Sequence, residues 1–501
     1  MKQGRVLFFW TMVIIFIFAA PAMVLYAQGY RFDFQRGILV HSGTISIKSN
    51  PQNIDITLNG KLNKSGSLNH INNSYNLSGL MPGNYDLSVS ADGYQTWTKK
   101  TEVHSGLASE FWNVLLVKNN YARTDYNADG IDKFYISPKN RYIIYTRNSD
   151  SGLSVSILNI GNKQIANSFN FNGWNFIDEA RKENIEWSPN EDYVSVPVEK
   201  TVSNTGSKQI VAKTVQYAYF ILNPSANTSF NLNDFLQKDD IRYVRWDPQN
   251  KNYLFFLSQN NLFRADINNA SDIKEIAQNV SSFDLSRTNV YYSQMPNELV
   301  FKANLDGSGT PTQLTANFPE NLTSPNSRLV VYDDSRIAFL NQNKNLYIYN
   351  LGEHGTYFKK LASDIDGMQF SNDGKKLLFW TDNEISVYYL RDWNVAPTRT
   401  ENSIEDITRY SDRIKNVQWF KDYEHIIFST GSQMKIIELD PRDHRNCMNL
   451  IQTAVSAPFA VYDSAQGRLY FTDNKNSSAS LYSIVFPEPT PILGIYTPPG
   501  G

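Results

Sequence analysis

The sequence predicts an all-β protein: an N-terminal transmembrane helix, a small β-sandwich, then a seven- or eight-bladed β-propeller, eight being the better count. Three observations predict it. The run from Val6 to Tyr30 carries no charge and is long enough to cross a bilayer. Residues 43 to 117 alternate apolar and polar positions between glycine turns. The rest of the chain repeats a unit of roughly 40–50 residues built of strand and turn signals.

Composition narrows the function. Among 501 residues, 47 Lys and Arg balance 49 Asp and Glu, leaving a net charge of −2. No excess of positive charge is present to follow a polyanion, so a nucleic-acid partner is excluded. Tyr and Phe stand at 29 each, far from the aromatic-poor composition of a disordered chain. The lone Cys447 excludes intrachain disulfides and cysteine-rich metal centres, and six scattered histidines make a histidine cluster implausible.

The N-terminal run is read first. Val6 to Ala27 spans about 33 Å as a helix, against about 30 Å of hydrocarbon. Cleavage after Ala22 would leave Ala20 and Ala22 at the positions a secretory signal favours, and cleavage after Ala27 would leave Leu25. The run exceeds what such a signal needs, so the expectation is an uncleaved signal-anchor. Lys2 and Arg5 precede it, which keeps the short tail inside and exports everything after Arg31. The expected location is the cytoplasmic membrane, single-pass, N-in and C-out.

The small β-domain follows. GTISIKS, NIDITLNGK, NYDLSVSADGY, TKKTEVHSG and EFWNVLLV each place apolar residues at alternate positions, as in an antiparallel sandwich. Asn59-Gly60 supplies the positive φ angles of a tight hairpin. The order G-x-I-x-I-x-S-x-P, I-x-L-N-G-K, L-x-P-G-x-Y-x-L-x-V, G-Y-x-x-W resembles the PEGA domain, a small surface-associated β-module of bacteria and archaea. The matching residues are Gly43, Ser49, Pro51, Leu58, Asn59, Gly60, Lys61, Leu80, Pro82, Gly83, Tyr85, Gly93, Tyr94 and Trp97. The tetrapeptide that names the family is replaced by Pro51-Gln52-Asn53-Ile54. Tyr94 and Trp97 could form a sugar-stacking platform, but a domain with so few large apolar residues needs them in its core.

The repeat units come last. Anchors at Ile136, Trp187, Trp246, Leu285, Phe370, Trp419 and Tyr462 are separated by 51, 59, 39, 85, 49 and 43 residues. The 85 is two units, with a weaker copy near Leu329 between them. Such units cannot bury both faces alone and stack around an axis as propeller blades. The W-S-P-N and F-S-N-D-G-K-K-L-L-F steps are similar to the repeats of TolB-like and WD40-like propellers, which implies architecture and no activity. The insertion Glu199 to Val215 reads as a long polar hairpin and a candidate contact element. The divisions are thus 1–5 cytoplasmic tail, 6–27 transmembrane signal-anchor, 28–42 juxtamembrane linker, 43–117 β-domain, 118–486 propeller and 487–501 Pro/Gly-rich tail.

Little chemistry is legible. No nucleophile elbow, H-E-x-x-H, P-loop or dinucleotide fingerprint occurs. Asp306-Gly307-Ser308-Gly309, Asp239-Asp240, Asp333-Asp334 and Asp443-His444-Arg445 read as turns, and Cys447 as a structural residue in a loop. Asp125, Asn127, Asp129 and Asp132 follow D-x-N-x-D-G-x-D, the first half of a calcium loop, but Ile136 stands where its bidentate Glu should be. Calcium is therefore the one cofactor candidate, against a plainer reading as a polar linker. No catalytic residue is expected. The anticipated function is a membrane-anchored extracytoplasmic binding or scaffold protein of the cell envelope. The combination resembles bacterial surface proteins, which implies cell-wall glycan, surface-layer protein or another exported protein as partner. The alternative is an extracytoplasmic carbohydrate-active enzyme, a lyase or hydrolase, using the central face of the propeller.

Overall fold

The computed structural model describes residues 2–34, 36–63, 67–69, 73–177, 185–203, 213–319, 328–475 and 478–487. The tip of the polar insertion, 204–212, and the C-terminal tail beyond 487 lie outside the described residues. Lys2–Ala27 is a single α-helix, and its Gly4–Ala27 stretch is apolar and long enough to span a membrane. Where the sequence suggests a linker, Tyr30–Asp33 and Ile38–His41 pair as an antiparallel hairpin.

The small domain is a sandwich of two four-stranded sheets. One orders Ala108–Leu115, Gly43–Asn50, Ser74–Leu80 and Ser67–Asn69; the other orders Lys61–Leu62, Asp55–Leu58, Gly83–Ser90 and Trp97–Val103. Alternation places Ile45, Ile47, Ile56, Leu77, Leu87, Val89 and Phe111 between them, all buried. Asn59 and Gly60 take φ of 48° and 76°, the left-handed pair expected of the hairpin there. One expectation is corrected. The domain is not wholly antiparallel, because Ala108–Leu115 pairs in parallel with Gly43–Asn50. After Val103 the chain crosses to the other sheet and lies beside its first strand. That crossing passes so close to Gly43 that a Cβ there would stand 2.4 Å from the Val103 side chain and 2.5 Å from the His104 carbonyl oxygen.

The remaining described chain forms eight sheets. Their first strands are Lys133–Ile136, Glu186–Trp187, Arg242–Trp246, Val280–Leu285, Arg328–Asp333, Gly367–Phe370, Ile414–Trp419 and Ala460–Asp463. Every sequence anchor lies on one of these strands. In the second sheet a further short strand, Asn175–Phe176, also pairs with Val194–Ser203. First strands of successive sheets touch, as at Glu186–Trp187 with Arg242–Trp246 and Ile414–Trp419 with Ala460–Asp463. This radial repetition is a β-propeller.

The repeat motif acquires a physical meaning. In W-S-P-N-x-x-Y the serine ends the first strand: Ser188 Oγ accepts the Tyr193 N–H at 3.0 Å, and Ser137 Oγ accepts that of Tyr142 at 3.0 Å. The tyrosine then stacks on the next unit's tryptophan, Tyr142 on Trp187 at 5.9 Å and Tyr193 on Trp246 at 5.9 Å. Polar side chains also fasten one first strand to the next. Trp246 donates its N–H to Glu186, Trp419 to Gln369 at 3.1 Å, and Tyr462 to Gln418 at 2.7 Å.

The last sheet closes the ring. Ala460–Asp463, Arg468–Lys475 and Ser478–Val485 are joined by Thr124–Asp129 from the start of the propeller. Of the segment read as half a calcium loop, Asp125, Asn127 and Asp129 therefore lie on a strand and Asp132 just beyond it. Asp125 pairs with Tyr482 and Asp129 with Ser480 across a bulge in which Asn127 takes φ 51°.

Candidate functional site

The small domain is bound to the propeller, not strung beside it. One hydrophobic core runs from Ile45, Trp97, Phe111 and Val117 into Phe420, Ile436, Met448, Tyr462, Phe471 and Phe486 of the seventh and closing sheets. Strand Trp97–Val103 explains how. Period-two geometry puts Trp97 and Lys99 on one face, and both are buried, Lys99 at 2% exposure. A lysine so placed needs a partner, and Glu438 supplies it. Lys99 Nζ lies 2.7 Å from one Glu438 oxygen, and Trp97 Nε1 donates to the other at 2.7 Å. Lys99 also donates to the carbonyls of Asp440 and His444.

The segment after Glu438 completes the junction. Asn446 binds the Thr98 backbone in both directions, at 3.2 and 3.0 Å, and Asp443 accepts the Lys100 N–H at 2.9 Å. Arg442 donates to the Glu110 carbonyl at 2.8 Å and lies 4.1 Å over the Phe111 ring. The Asp443-His444-Arg445 turn is thus a docking element. Trp97 is a core residue, as its composition argument anticipates, but the core is shared with the propeller. Tyr94 packs partly buried against the same core. Cys447 begins strand Cys447–Gln452 instead of lying in a loop.

Behind this junction lies a second buried polar layer. Lys376 pairs with Glu424, Arg399 with Glu405 at 3.1 Å, Arg445 with Glu405 at 2.9 Å, and His425 with Asp422 at 2.8 Å. Burial pushes the Glu424 carboxyl up against the pull of Lys376. Burial alone would hold the His425 imidazole down; Asp422 overrides it and keeps it above the ordinary 6.5. A raised imidazole contributes stability below 6.5 that is lost as pH rises through the folded-state value. Glu424 has a slope of the same sign at lower pH. The melting temperature should therefore fall as pH rises above 6.5, and His425→Gln should flatten that decline. Thermal melts of both proteins across this range check it; parallel curves would refute it.

Five ionisable groups converge here: Lys99, Glu424, Glu438, Asp440 and Arg442. The space between the last four and Trp97 and Phe111 is only about 20 Å³. That arrangement clamps two domains and has no volume for a substrate. A larger opening, about 480 Å³, lies beside it. It is lined by Gln95, Asn119, Asn120, Tyr121, Arg123 and the strand Asn449–Gln452. Gln95 bridges to the Asn449 carbonyl at 2.7 Å, and Arg123 is fixed by Asp473 at 2.6 Å and the Gln452 carbonyl at 2.7 Å. Burial raises the Tyr121 hydroxyl pKa, and that hydroxyl accepts the Lys118 N–H at 3.4 Å. The cleft is thus lined by side-chain amides, a phenol and a guanidinium ion-paired to Asp473.

The other sequence candidates have local partners. Asp125 accepts the Asn127 N–H at 2.8 Å, Asp129 accepts from Ser480, and Asp132 accepts the Asn148 N–H at 2.6 Å. Among the described residues, the one group of three carboxylate or imidazole ligands in mutual reach is Glu353, His354 and Glu401, away from that segment. There Glu401 caps the Glu353 N–H at 2.6 Å and His354 binds Asp392 at 2.8 Å. Asp240 and Asp333 cap turns at Gln259 and Ser335, as read. At the first strands, Arg245 meets Glu186 and Asp284, but both carboxylates also accept backbone N–H groups, from Trp246 and Val331, and so fasten sheets together. The insertion is a long hairpin of Val194–Ser203 with Lys213–Asn223.

Fold and junction define a propeller protein with a small β-sandwich docked on it. Residues 42–115, the sandwich, match the PEGA domain family model. The chain therefore carries a PEGA domain ahead of its propeller. No curated protein matches the sequence. Solved structures resembling the chain include a eukaryotic initiation factor (10% identity, 79% of this chain and 91% of that one, TM-score 0.45). Another is the β-propeller domain of Cps50 (Swd1) from Myceliophteria thermophila (11% identity, 73% and 99%, TM-score 0.37). A third is dipeptidyl peptidase 4 from Porphyromonas gingivalis (10% identity, 70% and 56%, TM-score 0.41).

Proposed function

We propose that this is a single-pass, membrane-anchored binding or scaffold protein whose PEGA domain and propeller face away from the cytoplasm. The PEGA domain sits next to the bilayer, and the amide-lined cleft at its junction with the propeller takes a polar ligand of the cell envelope, cell-wall glycan foremost. A surface-layer or other exported protein is the competing partner. The observation behind this reading is the shared, ion-paired core, which makes one rigid body of the two domains and leaves its open concavity at their boundary. Cytoplasmic membrane residence is supported by the apolar helix and the charges at Lys2 and Arg5. Calcium adds nothing to the reading, and no catalytic group is assigned.

The test uses the full chain in detergent micelles, because a fragment starting at Lys118 would strip half of a shared core. Sedimentation with purified cell-wall glycan should pellet the protein. Asn120→Trp, which fills the exposed mouth of the cleft, should weaken pelleting about tenfold, equivalent to about 1.4 kcal/mol. No pelleting of either protein would overturn the glycan reading in favour of a protein partner. Release of soluble sugar would establish the carbohydrate-active alternative.

A further inference from the structure

The segment between the helix and the PEGA domain has an unusual surface. Its hairpin, Tyr30–Asp33 with Ile38–His41, exposes Phe32 at 48%, Phe34 at 88%, Ile38 at 50% and Leu39 at 53%. Phe32 and Phe34 pair edge to face at 5.0 Å. A two-stranded ribbon with this much apolar surface in water would be marginal and sticky. The flanking charges are Arg31, Arg36 and Asp33, with Arg36 3.7 Å from Asp33. Arg31 lies 3.8 Å over the Tyr26 ring and donates to the carbonyls of Tyr26 and Tyr30, both at 2.9 Å.

Chain length fixes where this surface goes. Only Gln28 and Gly29 separate the helix from the hairpin, at most about 10 Å of chain. They do not extend: Gln28 donates to Val24 at 2.9 Å and Gly29 to Tyr26 at 3.1 Å. Ser42 returns to the same point, binding the Gly29 carbonyl through its N–H at 2.8 Å and its hydroxyl at 2.7 Å. Helix end, hairpin and first PEGA strand are therefore stitched together at Gly29.

We infer that the hairpin is a second membrane contact, lying in the interfacial layer of the bilayer that the helix crosses, with Phe32, Phe34, Ile38 and Leu39 at the boundary between headgroups and acyl chains. Aromatic side chains and arginines beside an apolar span suit that layer: rings sit at headgroup level while guanidinium groups stay with phosphates. The occupant is lipid, because the base of the hairpin is bonded directly to the end of the membrane-length helix. The contact would press the PEGA domain against the membrane surface and fix how the propeller is presented. This rests on the membrane-anchor reading, and the experiment separates the two.

The full chain with Cys447→Ala takes a nitroxide at Phe34→Cys, at Ile14→Cys in the helix, or at exposed Ser271→Cys in the propeller. Each is reconstituted in vesicles of phosphatidylcholine and phosphatidylglycerol. Collision with oxygen and with a water-soluble nickel chelate is then measured by EPR. The label at 34 should show an oxygen-to-nickel ratio several-fold above that at 271, with the label at 14 deeper still. A label at 34 as nickel-accessible as that at 271, with 14 still protected, overturns the hairpin contact and leaves the anchor standing. Nickel access at 14 as well overturns the anchor reading and the hairpin contact with it.

Discussion

Replacing Lys99 by methionine should destabilise the whole body by about 3–5 kcal/mol, because it leaves the Glu438 carboxylate buried without its cation. Lys99 has no exposed side-chain surface and Glu438 only 5%. The measurement is urea unfolding followed by tryptophan fluorescence and, in parallel, by far-ultraviolet circular dichroism. Both midpoints should move together, since Trp97 and the seventh sheet share one core. The double variant Lys99→Met, Glu438→Gln should recover part of the loss. The amide oxygen still accepts from one of the two donors that Glu438 serves, Trp97 Nε1 or the Asn446 N–H, while its NH2 group faces the other; no charge remains to be compensated, so the recovery is only partial. A single variant that unfolds like the parent, or shifts only one probe, would mean that the two domains are independent bodies.

Ending the chain after Lys475 should abolish the folded propeller. The truncation removes Ser478–Val485, which pairs Arg468–Lys475 on one side and Thr124–Asp129 on the other. Leu481 and Ile484, both at 0% exposure, leave with it, and so does Phe486 at 2%. Each such loss costs about 2–5 kcal/mol, and two strands lose their ladder partner as well. The sum matches or exceeds the 5–15 kcal/mol that typically holds a domain together. In an open solenoid, losing the last strand frays one end. In a closed ring it opens the junction on which every sheet depends. Loss of the near-ultraviolet signal and rapid proteolysis are expected; a cooperative melt within a few degrees of the full chain would show that closure is dispensable.

How much of this was legible follows from the range of the interactions. The PEGA pattern, the helix and all the first strands of the propeller were readable because each is written locally. Alternation, an uncharged run, or a serine turn followed by a tyrosine needs no distant residue to be interpreted. Trp187 and Trp246 recur because each receives the stacked tyrosine of the preceding unit, and Trp246 and Trp419 because each donates its indole N–H to a carbonyl of the preceding first strand. The strand Thr124–Asp129 was missed for the opposite reason. Asp, Asn and Gly are poor strand formers, and only a partner strand some 350 residues away makes the segment extended. A calcium loop and a polar linker were the local readings of it, and tertiary pairing makes the segment a strand.

The junction was partly written and overlooked. Lys99 stands two residues after Trp97, so one face of a strand carries both, and a lysine on a core face asks for an acid elsewhere. Nothing in the chain before folding says that the acid is Glu438. The same holds for the cleft, whose Gln95, Arg123 and Asn449 come from three separate stretches. The hairpin at Tyr30–His41 is a milder case, since its apolar residues were visible but its pairing was not. By itself, then, the sequence determined the element types, the repeat and the membrane-length helix, because periodicity and composition act over a few residues. The closing strand, the clamp between domains and the concavity beside it were decided only in the tertiary structure, because each is a meeting of residues whose proximity no local rule encodes.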